Sequence, residues 1–259
     1  MLLRDKVIVI SGVGPGLGRA MARLAAAEGA RVALGARNTD FLKTVAQEIE
    51  LSGGQAIWRA TDVADPEQCN ALAAAAIEAF GRIDGLVNSA YDHGAWATTD
   101  VADPAGWASV YDITCVGALR MAQAVLPAMK AAGSGAIVNV STLATVKPFP
   151  GEAAYAAAKG GLAVLTRHMA RDFGQFGVRV NCVRMGWIGG APVYGWIDSQ
   201  VAAGRPRPEV EGEITARIPL GIIPPEDDCG RAVLALISDQ MRVVTGASLD
   251  VNGGEYMAP

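Results

Sequence analysis

The chain has 259 residues, of which 51% are hydrophobic and 19% are charged, and its formal net charge is −4. This composition suits one large α/β domain with a substantial core, disfavours disorder and coiled coil, and lacks the Lys/Arg-rich block that a nucleic-acid partner requires. No apolar run approaches the roughly 20 residues of a membrane span, and the scattered cysteines and two histidines suggest neither disulfides nor a metal site. We therefore expect a cytoplasmic protein with a small-molecule ligand.

A glycine-rich loop follows the first predicted strand, Lys6–Ser11, and precedes a predicted helix at Arg19–Glu28. Its glycines have the spacing G-x-x-x-G-x-G, at Gly12, Gly16 and Gly18. Glycine permits positive φ angles and close approach of the main chain to a ligand, and the N-terminus of the next helix offers free N–H groups to a pyrophosphate. Strand, loop and helix in this order indicate a dinucleotide site, and a plain tight turn is the alternative.

The second predicted strand, Arg31–Gly35, ends where the adenine ribose of a dinucleotide would lie, and a helix follows at Asp40–Glu50. An acidic residue at this place would accept a hydrogen bond from the ribose 2′-hydroxyl. Ala36 is neutral and Arg37 is cationic, which suits a 2′-phosphate. The sequence thus favours NADP(H), with NAD(H) also possible, and a solvated surface arginine is the alternative.

Two further predicted strands, Gln55–Thr61 and Gly85–Ser89, flank an alanine-rich helix at Pro66–Phe80. The first strand leads into Asp62 and Val63, and the second ends in Asn88, Ser89 and Ala90. Strand ends at this edge of an α/β sheet face the ligand crevice, so Asp62 and Asn88 are candidates for cofactor contacts.

The fifth predicted strand, Ala136–Val140, ends in two hydroxyl side chains, Ser141 and Thr142. After a turn, an alanine-rich helix begins at Glu152 and carries Tyr155 and Lys159 at i and i+4 on one face. A nearby ammonium group favours the phenolate and lowers the tyrosine pKa, which moves the phenol toward acid or base chemistry near neutral pH. The alternative is an ordinary alanine-rich helix with a solvated Lys159.

Helices and strands continue to alternate in the rest of the chain. A long helix is predicted from about Pro104 to Ala131, bent by Gly117 and Pro127. A sixth strand at Val178–Val183, a helix at Glu226–Ile237 and a last strand at Ser248–Val251 complete the pattern. Residues 186–225 mix aromatic side chains with glycine and six prolines, so we interpret them as an irregular substrate-binding loop or lid.

Five motifs stand in order along the chain: Ser11-Gly12-x-x-x-Gly16-x-Gly18, Asp62-Val63, Asn88-Ser89-Ala90, Tyr155-x-x-x-Lys159 and Asn252-Gly253-Gly254. Together they resemble the classical short-chain dehydrogenase/reductase family over nearly the whole chain. The resemblance implies one doubly wound Rossmann domain over residues 1–259, an α/β fold with a seven-stranded parallel sheet flanked by helices. It also implies a nicotinamide cofactor and hydride transfer to a carbonyl or from a secondary alcohol.

The resemblance assigns catalytic roles to Thr142, Tyr155, Lys159 and Thr114. Tyr155 would protonate the carbonyl oxygen, and Lys159 would lower the tyrosine pKa and hold the nicotinamide ribose. The family's serine that orients the carbonyl is here either replaced by Thr142 or served by the adjacent Ser141. Thr142 is favoured, because Ser141 should point to the opposite side of the strand. Thr114 stands where the family has an asparagine that takes part in a proton relay through water to the lysine.

The cofactor site implied by the resemblance combines the glycine loop, the strand ends and the catalytic helix. It comprises Ser11, Gly12, Gly14, Gly16, Leu17, Gly18, Arg37, Asp62, Val63, Asn88, Ser89, Ala90, Tyr155, Lys159, Gly186 and Ile188. Pro15 supplies neither a basic side chain nor an N–H group in the glycine loop, so the preference for NADP(H) should depend on Arg37 alone. Met185-Gly186 replaces the family's usual Pro-Gly, and Gly189-Gly190 replaces the threonine that binds the carboxamide.

The substrate site is expected to combine Ser141, Thr142 and Tyr155 with four aromatic residues: Trp96, Trp187, Tyr194 and Trp196. Aromatic side chains at the crevice favour an apolar, ring-containing alcohol or ketone, and packing within each loop is the alternative. The main prediction is an NAD(P)-dependent oxidoreductase.

Two other functions stay open at this point. One is a cofactor-binding sensor or structural partner with weak or lost redox activity. The other is a lyase or epimerase, for which the only additional acid or base is His93, predicted to be solvated in its loop. By resemblance, the long helix and the Tyr155 helix pack against partner subunits in a homotetramer.

Overall fold

The computed structural model describes residues 1–258 and contains one seven-stranded sheet. Its strands are β1 (Val7–Ser11), β2 (Arg31–Ala36), β3 (Gln55–Ala60), β4 (Gly85–Asn88), β5 (Gly135–Thr142), β6 (Val178–Met185) and β7 (Ser248–Val251). All neighbouring strands are parallel, in the order β3-β2-β1-β4-β5-β6-β7. The order changes direction between β1 and β4, and this switch point opens a crevice at the carboxyl ends of the strands. The predicted doubly wound α/β fold is confirmed.

Helices cover both faces of the sheet. They are α1 (Leu17–Ala27), α2 (Thr39–Leu51), α3 (Pro66–Phe80), α4 (Trp107–Tyr111), α5 (Gly117–Ala132), α6 (Ala153–Phe173), α7 (Ala191–Ala202), α8 (Arg207–Thr215) and α9 (Glu226–Ile237). One core buries Met21, Leu42 and Val233 from α1, α2 and α9. The other buries Leu72 and Met121 from α3 and α5, together with residues of α6. Because the central strands are buried on both faces, they consist of short continuous apolar runs.

The helix expected from Pro104 to Ala131 is interrupted. A 3₁₀ turn at Pro104–Gly106 leads into α4, and a π-helical turn at Asp112–Val116 separates α4 from α5. Gly117 lies at the end of this turn, where a Cβ atom would come within 2.6 Å of the Val63 side chain. Pro127 stays inside α5. The interruption therefore comes from a π turn that brings a glycine against the chain after β3, and propensity alone does not indicate it.

The prediction that residues 186–225 are irregular is wrong, because this segment contains α7 and α8. Both helices have proline in the first turn, where its missing N–H group costs nothing. The segment also has a small core of its own, formed by Ile197, Val210, Ile214 and Ile218. Prolines that looked like breaks in regular structure therefore mark helix starts.

Candidate active site

The glycine loop between β1 and α1 is shaped for close contact with a ligand. Gly12 has a φ of +82°, and a Cβ atom there would collide with the main chain of Ala90. Gly16, the N-cap of α1, makes no side-chain capping bond, and within residues 1–258 the N–H groups of Leu17 and Gly18 have no partner, whereas that of Arg19 donates to the Gly14 carbonyl oxygen. An added Cβ at Gly14 would meet nothing within 4 Å. The loop thus fits a pyrophosphate at the start of α1.

Two adjoining cavities run along the carboxyl ends of the strands. These two cavities measure about 380 and 310 Å³ and share Gly12, Gly14, Ser89 and Tyr91. A separate cavity of about 420 Å³ lies between α4 and α6. The 380 Å³ cavity reaches Tyr155 and Lys159, and the 310 Å³ cavity reaches Arg37. Together they form one elongated crevice, which we call the cofactor crevice.

Most residues predicted to bind the cofactor line this crevice. They are Gly12, Gly14, Gly16, Leu17, Gly18, Arg37, Asp62, Val63, Ser89, Ala90, Tyr155, Lys159, Gly186 and Ile188. Arg37 is exposed at one end and, within residues 1–258, makes no hydrogen bond or ion pair. An unpaired guanidinium beside the neutral Ala36 fits a phosphate group on the adenosine ribose.

The side chains of Ser11 and Asn88 do not line the crevice but belong to a buried polar chain. Ser11 donates to Asn88 Oδ1 at 3.1 Å, and Asn88 Nδ2 donates to Asn139 Oδ1 at 2.9 Å. Asn139 in turn donates to Thr166 of α6 at 2.9 Å. These side chains therefore join β1, β4 and β5 to α6. Sequence reasoning missed Asn139 and Thr166, whose only signal was a polar residue inside an apolar element.

Thr142 and Ser141, at the end of β5, both border the 380 Å³ cavity, but their hydroxyl groups have different partners. The Thr142 hydroxyl lies against the Tyr155 phenol, and it accepts a hydrogen bond from the Ala144 N–H at 3.2 Å. Ser141 is 3% exposed, and its hydroxyl donates to the Lys159 carbonyl oxygen at 3.4 Å. The alternation of side chains along a strand thus brings Thr142 to the phenol and turns Ser141 toward the α6 main chain.

Lys159 is not a solvated residue. It is 1% exposed, and its Nζ donates to the Val140 carbonyl oxygen at 2.5 Å. Burial lowers the pKa of Lys159 to about 8, and the thiols of Cys182 and Cys115 only partly oppose this effect. The amine at the floor of the crevice therefore titrates just above neutral pH and is mainly protonated at pH 7.

The pKa of Tyr155 in this structure is shifted upward, against the lowering expected from Lys159. Burial raises the pKa of Tyr155 above its usual value, Tyr91 and Glu152 raise it further, and Thr142 lowers it. The Lys159 Nζ lies 5.7 Å from the centre of the Tyr155 ring and is itself shifted toward the neutral form. Tyr155 consequently keeps its proton at neutral pH, the form that a proton donor needs.

Replacing Lys159 with methionine is expected to change the pH dependence of stability of the cofactor-free protein. The lysine pKa is about 8 in the folded state against 10.5 ordinarily, so the unfolded chain binds more protons between these values. The contribution of Lys159 to the free energy of unfolding is fully present above pH 10.5 and is lost as the pH falls through about 8. In urea unfolding, the wild type should gain stability relative to Lys159→Met as the pH rises through this window. A difference that stays constant would contradict the prediction.

Thr114 anchors the loop after β4. It is fully buried in the π turn, where its hydroxyl accepts a hydrogen bond from the Asp92 N–H at 3.0 Å and donates to the Asp92 carbonyl oxygen at 3.2 Å. Its proton is thereby committed to the main chain. The contacts make Thr114 a positioning residue for this loop, and its role in a water relay stays a prediction.

The same loop brings three aromatic residues to Tyr155. The ring centre of Tyr91 lies 5.6 Å from that of Tyr155, and His93 stacks on Tyr155 at 4.9 Å with an angle of 23° between the planes. Trp96 stacks on the other face of His93 at 3.9 Å. The prediction of a solvated His93 is wrong, because its ring is half-buried and burial lowers its pKa. Sequence reasoning missed Tyr91, since nothing local indicates which loop folds over the catalytic helix.

The other predicted aromatic residues do not line the crevice. Trp187 packs on the core of α7 and α8 and lies 5.6 Å from Trp196, ring centre to ring centre. Tyr194 and Trp196 are 43% and 41% exposed. The crevice wall on this side is formed by Met185, Pro192 and Val193. Contact between the four tryptophan and tyrosine residues and the substrate therefore stays a prediction, with Trp96 nearest to Tyr155.

Residues 1–258 contain neither of two further kinds of site. None of the helices in that range combines the length and apolar character needed to cross a membrane. The same range holds no group of three His, Cys, Asp or Glu residues positioned for a metal ion. All four cysteines are free and buried.

Known proteins resemble this chain over nearly its full length. Residues 12–255 match the family model described as enoyl-(acyl carrier protein) reductase. The chain is 36% identical to the cis-4-hydroxycyclohexanecarboxylate dehydrogenase of Sinomonas cyclohexanicum over 252 residues, or 96% of each protein. It is 34% identical to an uncharacterized short-chain type dehydrogenase/reductase of Sinorhizobium fredii over 259 residues, or 98% of each. The solved structure of levodione reductase is similar with a TM-score of 0.89 and 30% identity, and 98% of each chain is covered. With these matches and a crevice that joins Arg37 to Tyr155 and Lys159, the chain belongs to the short-chain dehydrogenase/reductase family and is an oxidoreductase that acts on CH–OH groups.

Proposed function

We propose that the protein interconverts a ring-containing secondary alcohol and its ketone with a preference for NADP(H). The observation that carries the proposal is the continuous crevice with the unpaired Arg37 at one end and Tyr155, Thr142 and Lys159 at the other. The Sinomonas relative is named for a hydroxylated cyclohexane ring, which supports a cyclic substrate. Purified protein mixed with a panel of cyclic and aryl ketones and each reduced cofactor should oxidise NADPH faster than NADH, followed by absorbance. Absence of turnover with the whole panel would contradict the proposal.

The residues around the crevice have separate tasks in this reaction. The nicotinamide cofactor supplies the hydride when it is bound. Tyr155 donates its proton to the carbonyl oxygen during ketone reduction, because burial keeps the phenol protonated at neutral pH. Thr142, held by the Ala144 N–H group, orients that oxygen. Lys159 returns a proton toward the phenol side of the crevice, for which a pKa of about 8 is well matched.

A protein without redox activity is less well supported than an enzyme. The residues that kept this alternative open were Thr114, Thr142 and the Met185-Gly186 pair. Thr142 lies against Tyr155 as an orienting hydroxyl must, and Met185 and Gly186 line the crevice. Relatives that match the whole chain are named dehydrogenases. A sensor would have no need for a buried lysine beside a half-buried tyrosine, and we retain the oxidoreductase.

The 186–225 segment is proposed to act as a lid over bound ligands. Its start already touches the glycine loop, since a Cβ atom at Gly190 would lie 3.5 Å from the Gly16 Cα. We expect limited proteolysis between α7 and α8 to slow when cofactor and substrate are both present. A cleavage rate that is the same with and without ligands would count against the lid.

We propose that the protein assembles as a homotetramer through α4, α5 and α6. An open, largely apolar groove on these helices is lined by Trp107, Tyr111, Val116 and Ala157, among others. A Cβ atom added at Gly160 of α6 would meet nothing within 4 Å, which leaves room for a partner helix, whereas Gly161 packs against Tyr111 of the same chain. Sedimentation at micromolar concentration should give a tetramer, and Ala157→Arg should dissociate it. Ala74→Arg, at an exposed position of α3, should leave the assembly intact. A monomeric wild type would refute the proposal.

The cytoplasm is the compartment that we propose for this protein. Four free, buried thiols suit a reducing environment.

A further inference from the structure

Tyr91 lies where the two cavities of the cofactor crevice join. Within residues 1–258, the residues that line both cavities are Gly12, Gly14, Ser89 and Tyr91. The first three have no side chain or a short one, so Tyr91 carries the one large side chain among these shared residues. A dinucleotide that reaches from Arg37 to Lys159 has to pass the junction of the cavities. Its path therefore runs along the side chain of Tyr91.

The Tyr91 ring is held at the junction by its neighbours. Its centre lies 5.6 Å from that of Tyr155, and the Lys159 Nζ lies over the ring at 5.5 Å from its centre. An ammonium group at this distance is attracted to the π electrons of an aromatic ring. The next residue, Asp92, is bound through both main-chain groups to the Thr114 hydroxyl. Because these contacts already fix the ring, a ligand that packs on it has little ordering to bring about.

Tyr91 offers open aromatic surface to the crevice, since it is 51% exposed. A ligand that covers such a surface gains free energy, because apolar area leaves contact with water. The part of a dinucleotide between its two bases consists of the riboses and the pyrophosphate. NADP(H) and NAD(H) share this middle part and differ only at the adenosine 2′-position, beside Arg37. A contact at the junction therefore concerns what the two cofactors have in common.

We propose that Tyr91 is a cofactor-binding residue whose ring packs on the middle of the dinucleotide and stabilises NADP(H) and NAD(H) equally. The inference rests on the part of the proposed function that assigns a nicotinamide cofactor to this crevice. It separates two contributions to cofactor binding, since Tyr91 provides affinity and Arg37 provides discrimination. Because the two residues act on different parts of the cofactor, their effects on the binding free energy should add.

Titration of NADPH and NADH by quenching of tryptophan fluorescence measures this contribution without turnover. Tyr91→Ala should weaken the binding of both cofactors by the same factor, about tenfold, as loss of a packed aromatic surface gives. The factor for NADPH should be the same in an Arg37→Ala background. Tyr91→Phe keeps the ring and should retain most of the affinity. As a matched control, Tyr256→Ala makes the same truncation outside both cavities and should leave both affinities unchanged.

A second measurement reports on Tyr91 directly and does not require Tyr91→Ala to fold. The chain has five tyrosines, so protein labelled with 3-fluorotyrosine carries five ¹⁹F labels, and the signal that is missing from Tyr91→Phe belongs to Tyr91. This signal should shift when either NADPH or NADH saturates the wild type. A Tyr91 signal that neither cofactor moves would overturn the inference.

The outcomes decide the inference separately from the proposed function. Equal cofactor affinities of the wild type and Tyr91→Ala, a loss confined to NADPH, a loss in Tyr91→Phe as large as in Tyr91→Ala, or no binding of either cofactor to the wild type would overturn the role of Tyr91. Turnover of cyclic ketones by a protein whose cofactor affinity does not depend on Tyr91 keeps the proposed function and removes the inference. The expected loss of affinity in a protein that turns over none of the ketones keeps the inference and contradicts the proposed function.

Discussion

Replacing Tyr155 with phenylalanine is expected to reduce turnover by about two to four orders of magnitude, as loss of a general acid typically does. The change removes only the hydroxyl group that donates the proton, and the ring can still stack on His93. Cofactor affinity should therefore change little. Steady-state rates at saturating ketone and a cofactor titration on the same preparation measure the two effects. Wild-type turnover in the variant would rule out this phenol as the acid.

Three further variants test whether the loss of turnover is specific to the Tyr155 hydroxyl group. Two are at the end of β5, and one is at a tyrosine outside the cofactor crevice. Thr142→Ala should reduce turnover less than Tyr155→Phe, because its hydroxyl orients the carbonyl without donating the proton. Ser141→Ala should have little effect, since that hydroxyl bonds to the Lys159 carbonyl oxygen. Tyr256→Phe makes the same change as Tyr155→Phe outside the cofactor crevice and should be neutral. A larger loss from Ser141→Ala than from Thr142→Ala would reverse the assignment of the two hydroxyls.

Replacing Arg37 with alanine is expected to remove most of the discrimination between NADP(H) and NAD(H). The Arg37 guanidinium is exposed at the end of the cofactor crevice, beside the neutral Ala36, and Pro15 offers no second basic contact. One charge-assisted hydrogen-bonded contact contributes about 1.5–3 kcal/mol, which corresponds to a preference of roughly 10- to 150-fold. The affinity of the variant for NAD(H) should change little, since that cofactor has no 2′-phosphate to pair with the side chain.

Cofactor titrations by quenching of tryptophan fluorescence measure this preference directly. Arg4→Ala removes an exposed arginine far from the crevice and should leave both affinities unchanged. High salt should weaken NADP(H) binding to the wild type more than to Arg37→Ala, because an exposed ion pair is screened. Tighter binding of NAD(H) than of NADP(H) by the wild type would show that Arg37 is a solvated surface residue.

The positions of the strands and of the glycine loop were predictable from the sequence because they depend on local properties. Short β-branched runs, such as the one in β1, form strands that are buried on both faces wherever helices alternate with them. The glycine spacing between Gly12 and Gly18 likewise reflects a main-chain path that other residues cannot follow. The alternation of side chains along β5 was enough to separate Ser141 from Thr142.

Errors arose where local patterns have two structural meanings. Proline breaks a helix in its interior and fits its first turn, so the sequence alone does not distinguish a break from a helix start at Pro192 and Pro208, which lie in the first turns of α7 and α8. Aromatic residues near a crevice either face it or pack elsewhere, and Trp187 packs on the core of α7 and α8. The π turn that buries Thr114 depends on contacts with Asp92 and Val63, which lie in other parts of the chain.

By itself, the sequence determined that this protein is a doubly wound α/β domain with a dinucleotide loop, and that a tyrosine and a lysine share one face of a helix. Only the tertiary structure decided how those two groups titrate and what touches them. Burial raises the pKa of Tyr155 and lowers that of Lys159, and it comes from residues distant in sequence, such as Tyr91 and His93. Desolvation depends on everything that surrounds a side chain in space, whereas spacing along a helix specifies only one neighbour.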